Sequence, residues 1–88
     1  MKPSPNELAQ RLSERFDGAQ IDITDDSHLH AGHAGAAGGA GHFTVRISWP
    51  GFAGKPPVAR HRLVYDAVRD WIPDRIHALS IHASVDTV

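Results

Sequence analysis

Seven histidines are the residues in this chain best equipped for chemistry, and they outnumber its lysines and glutamates combined. Neutral imidazole is the commonest metal ligand among side chains. His28, His30 and His33 crowd one stretch, His42 follows shortly after, and His61, His77 and His82 lie further on. Protonating all seven would move the formal charge from −1 to +6, so the charge is expected to respond to pH. Cysteine is absent, which excludes disulfides, thiol nucleophiles and any iron–sulfur site built only from this chain's thiolates. A metal site here must draw on imidazole, on carboxylate, or on ligands lent by a partner. No HExxH spacing, P-loop, Rossmann fingerprint or Ser/His/Asp arrangement occurs. A histidine with Asp25 or Asp26 is the remaining acid–base pairing. Each histidine also has a plainer reading. In a loop expected to be mobile, His28 and His33 are ordinary solvated side chains, and His77 is a half-buried structural residue.

The elements that must position these residues are legible from periodicity. Ser4 suits a helix N-cap, Pro5 the N1 position, and Glu7 completes a capping box. Leu8, Leu12 and Phe16 then form one apolar stripe, ended by Asp17-Gly18. Residues 19–24 alternate about Ile21 and Ile23 as a half-buried strand. Residues 28–41 are expected to be a flexible loop, because from Ala31 to Gly41 everything except His33 is alanine or glycine. Phe43, Val45, Ile47 and Trp49 mark a second strand, opened by His42 and stopped by Pro50-Gly51. Pro57 suits N1 of a helix that runs to Ile72, where Pro73 ends it. Val64, Ala67, Val68 and Trp71 face the core. Residues 76–83 form the last strand, with His77, Leu79, Ile81 and Ala83 on one parity.

The order is α-β-β-α-β. A helical crossover between the last two strands makes them parallel, while the first two pair antiparallel through the loop. The expected fold is a single α+β domain over residues 1–88. It has a three-stranded mixed sheet with both helices on one face. Eighty-eight residues leave no room for a second core and little for an enclosed substrate pocket, so a non-enzyme is expected. No segment reads as a transmembrane helix or targeting sequence, which leaves the cytoplasm as the expected location and no membrane partner.

Nine basic against ten acidic residues give no global field for nucleic acid. Gly51-Phe52-Ala53-Gly54 followed by Lys55 fits the GxxG clamp of nucleic-acid-binding KH domains. The plainer and preferred reading is a tight strand-to-helix turn that uses both glycines, with Phe52 in the core. Helical geometry splits Arg60-His61-Arg62: Arg60 and His61 flank the buried arc, whereas Arg62 points outward at about 160°. There Arg62 can pair with Asp66, and Arg60 can hydrogen-bond to the neighbouring loop.

Five segments in order carry a resemblance. They are Asp26-Ser27 with His30, His42-Phe43-Thr44-Val45, Phe52-Ala53-Gly54, Arg60-His61-Arg62-Leu63-Val64-Tyr65 and Ile76-His77-Ala78-Leu79-Ser80-Ile81. Together they make the chain resemble the BolA-like family from about residue 5 to 83. The resemblance implies a class II KH-like fold and a partnership with monothiol glutaredoxins bearing a CGFS motif. It further implies a 2Fe–2S cluster shared with that partner and its glutathione. His77 would be one ligand and His30 the second, with His33 and His42 as alternatives. The isolated chain is expected to be colourless and cluster-free. The alternative that the family suggests is a DNA-binding transcriptional regulator of stress response and cell shape, using Gly51, Gly54, Lys55, Arg62 and Arg69. A metal-buffering histidine module is a third reading. The chain stops five residues after Ala83, so functions needing a C-terminal extension are not expected.

Overall fold

The computed structural model describes residues 2–27 and 40–85. Helix α1 spans Pro5–Arg15, strand β1 Gln20–Asp25, strand β2 Gly41–Ser48, helix α2 Pro57–Ala67 and strand β3 Ile76–Ser84. Short 3-10 turns at Pro50–Phe52 and Arg69–Trp71 flank α2.

The capping box forms as the sequence implies. The Glu7 amide donates to Ser4 Oγ at 3.0 Å, and the Ser4 amide donates to Glu7 Oε1 at 3.3 Å. These bonds satisfy amides that a helix start otherwise leaves without partners. Gly18 takes φ +81 after the helix, a conformation that favours glycine. Helix α2 is shorter than its apolar period suggests and ends at Ala67. Pro73 pushes Ile72 into extended backbone (φ −104, ψ 131), and the chain between is a 3-10 turn. That turn still carries Trp71 into the core beside Val68.

The sheet order is β1-β2-β3, with β1 antiparallel and β3 parallel to β2. Both helices cover one face. There Leu8, Leu12 and Phe16 of the α1 segment meet Phe43, Val45 and Ile47 of β2 and Val64, Ala67 and Val68 of the α2 segment. Burying a Leu or Phe side chain contributes about 1.5–3 kcal/mol, so this layer dominates stability. The other face is polar: Asp22, Arg46 and His82 stand in one cross-strand row, and Thr24, Thr44 and Ser80 in the next. The glycine-rich segment ends earlier than its composition suggests. Ala40 is buried, and Gly41 already pairs with Ile76, so β2 opens one residue before His42.

Among the described residues no helix is long and apolar enough to cross a membrane.

Candidate metal-ligand site at the β2–β3 bulge

His42 lies on the polar side of β2, because Phe43, Val45 and Ile47 take the core side. It is nevertheless only 6% exposed. Its backbone is held at both ends. The His42 amide donates to Ser27 Oγ at 3.1 Å, and its carbonyl accepts from the Asp26 amide at 2.7 Å. Beside it, Thr44 Oγ1 donates to Asp26 Oδ2 at 2.5 Å. The turn after β1 therefore braces the start of β2. Sequence reasoning passed over Ser27 and Thr44 as positioning groups. The signal was available in a Ser two residues beyond a strand end and a Thr on the polar parity.

The neighbour of His42 is His77. Pairing passes from Gly41↔Ile76 to His42↔Ala78, so His77 is an extra residue in β3 at that point. An inserted residue shifts the side-chain alternation by one. Ile76 can thereby be fully buried while Leu79, Ile81 and Ala83 still pack against the core. Strict alternation would place His77 with that core set, half-buried. The bulge instead leaves His77 exposed, with its ring centroid 5.1 Å from that of His42 and the planes 55° apart.

His28, His30 and His33 lie outside the described residues. Among the described residues no group of three or more His, Asp or Glu side chains is arranged to hold a metal ion. Asp25 and Asp26 are both engaged elsewhere. Asp26 accepts from Thr44, and Asp25 receives Lys2 Nζ at 2.8 Å and the Ser27 amide at 2.9 Å. Burial would raise the Asp25 carboxyl, but the hydrogen bonds from Lys2 and Ser27 outweigh it and bring it down to about 2.

The basic residues considered for nucleic acid are more dispersed. Gly51 and Phe52 belong to the first 3-10 turn, and Phe52 is fully buried. A Cβ at Gly51 would overlap the six-membered ring of Trp49. That indole packs edge-on to Phe16 and Phe52 and donates from Nε1 to the Asp17 carbonyl at 2.9 Å. Gly54 takes φ +79. Lys55 is exposed, and its carbonyl accepts from Arg60 Nε at 2.8 Å. Arg62 is exposed on α2. Asp66 reaches Arg69 at 3.8 Å, in place of the expected pairing with Arg62, because Arg69 follows it on the 3-10 turn.

Comparison with known proteins matches this architecture. A sequence model of the BolA-like protein family covers residues 12–87, and the chain belongs to that family. It is 41% identical over 81 residues to SufE-like protein 1, chloroplastic/mitochondrial, of Arabidopsis thaliana, covering 86% of this chain and 22% of that protein. It is 36% identical over 75 residues to the DNA-binding transcriptional regulator BolA of Vibrio cholerae, covering 85% of this chain and 68% of that one. Among solved structures, the BolA domain of SufE1 from Arabidopsis thaliana superposes with a TM-score of 0.80 at 34% identity. That match covers 97% of this chain and 94% of the other.

Proposed function

We propose that this chain is a non-enzymatic adaptor that pairs with a monothiol CGFS glutaredoxin and helps to hold a 2Fe–2S cluster as shared cargo. The observation that carries the reading is the 5.1 Å juxtaposition of His42 and His77. Two imidazoles on one tetrahedral ion, with metal–nitrogen bonds of about 2.1 Å, bring their ring centroids to about 5 Å. The ring spacing matches that arrangement, with the His42 nitrogens shielded from solvent in the isolated chain. His77 faces solvent, where a partner can reach it, while His42 is braced from beneath by Ser27. The family resemblance names His30 as the second ligand with His33 and His42 as alternatives, and of these three His42 is the one within the described residues.

The division of ligands follows from composition. This chain has no thiolate, so the partner's cysteine and its glutathione supply sulfur on the far side. Imidazole in place of thiolate on one iron raises the reduction potential of such a cluster when bound. Two imidazoles alone make a poor cage, so the isolated chain is colourless. The test is an anaerobic titration of the apo chain into holo monothiol glutaredoxin with glutathione, followed by visible circular dichroism. A new spectrum saturating near one-to-one, and lost or altered in His77→Ala, is the expected result. An unchanged spectrum with no complex on size exclusion would refute the partnership.

A second reading, a DNA-binding regulator, is favoured by the name carried by the Vibrio cholerae relative and by the exposed Lys55 and Arg62. It requires salt-sensitive affinity that weakens in Lys55→Ala.

A further inference from the structure

The two other described histidines, His61 of α2 and His82 of β3, border one groove of about 720 Å³. It crosses all three strands near residues 20–22, 46–48 and 81–84. That volume lies within the range of small-molecule sites. Within it Asp22, Arg46 and His82 occupy one register row across β1, β2 and β3, all exposed. Opposite charges directly across strands usually pair. Here neither Asp22 nor Arg46 closes an ion pair among the described residues. One end of the row thus offers a carboxylate. The rest offers a guanidinium fork and the His82 imidazole.

We propose that this groove binds the zwitterionic form of a short peptide on the open face of the sheet, with its ammonium on Asp22 and its terminal carboxylate between Arg46 and the His82 imidazole. A simple polyanion fits less well, because Asp22 would repel it. Length fits too. Three strands about 4.8 Å apart place the outer two about 10 Å from each other. An extended tripeptide spans about the same distance. The inference uses neither His42 nor His77 and stands apart from the cluster reading.

Triglycine is the probe, titrated into the ¹⁵N-labelled chain, with N-acetyltriglycine, triglycine amide and inorganic phosphate as comparisons. Saturable shifts at the amides of residues 20–22, 46–48 and 81–84 are expected with triglycine. Blocking either end should weaken binding about tenfold, as should Arg46→Gln. Asp22→Asn should abolish the discrimination between triglycine and its N-acetyl form while leaving that form's own affinity unchanged. Both substituted side chains are exposed, and unchanged shifts elsewhere report an intact fold. Shifts that do not saturate by about 10 mM would overturn the proposal, as would indifference to blocked ends. So would phosphate binding as tightly as triglycine at the same amides.

Discussion

The His42 and His77 rings lie 5.1 Å apart because β3 carries one more residue than β2 where they meet. Without that insertion, the parity that buries Leu79, Ile81 and Ala83 would turn His77 inward as well. The bulge allows Ile76 to fill the core and releases the next side chain to solvent. One backbone irregularity thus serves packing and presentation together.

That relationship separates the two histidines experimentally. His77→Ala removes an exposed side chain and should change folding stability by less than about 0.5 kcal/mol. His42→Ala empties a buried position and should cost about 1–3 kcal/mol. Urea unfolding of both variants checks this. Equal losses would show that the rings are one structural unit rather than a braced and a presented member.

Gly51 makes a second case. Its missing Cβ leaves room for the Trp49 indole, which closes an aromatic group with Phe16 and Phe52. Gly51→Ala should therefore destabilise the fold by about 1–3 kcal/mol through overpacking. Gly54→Ala, strained by its positive φ alone, should cost about 1 kcal/mol. Thermal unfolding distinguishes them. A Gly51→Ala protein as stable as wild type would detach this glycine from Trp49 and return it to the backbone-clamp reading.

The α-β-β-α-β order, the capping box and the pairing directions were legible because each rests on local signals: a cap, a period, or the length of a connection. The exposure of His77 was not. Counting parity back from Ala83 to His77 gives a buried residue, and no bulge-forming glycine or proline lies next to it to warn otherwise. The juxtaposition with His42 depends on register between segments about 35 residues apart, which periodicity does not encode. The length of α2 was overestimated for a related reason. Val68 and Trp71 are buried at helical spacing, but a 3-10 turn keeps similar spacing while obeying the constraint that Pro73 sets on Ile72.

Arg11 ties α1 to the segment after α2. Its guanidinium donates to the Ala67 carbonyl at 3.2 Å and to Asp70 at 2.7 and 3.3 Å, and lies 4.2 Å from the Trp71 ring centroid. Arg11→Ala should cost about 1–3 kcal/mol, combining a lost carbonyl partner with lost stacking. Arg11→Lys should recover only part, since an ammonium lacks the planar fork. Asp70→Asn should cost little, because that carboxylate is largely exposed. Urea midpoints rank the three. A lysine variant matching wild type would mean that charge alone, not the fork, makes the contact.

Asp25 contributes to the acid limb of stability. Its carboxyl sits at about 2 in the folded chain against an ordinary value of 3.8, held down by Lys2 and Ser27 against the opposing effect of burial. A carboxyl depressed by folding stabilises the native state above its unfolded value, and that contribution fades as protons bind. It should be complete above about pH 5 and disappear as pH falls from about 4 to about 2. Its size is about 1–2 kcal/mol, reduced from the full linkage value because Lys2 is 44% exposed and solvent screens the pair. Asp25→Asn removes the titration, so its stability should vary less over that interval than wild type while being lower near neutrality. Chemical denaturation at pH 7, 4 and 2.5 reads both effects, and raised salt should shrink the wild-type advantage at pH 7. Parallel pH profiles for the two proteins would show that the Lys2 and Ser27 contacts do not hold the carboxyl down.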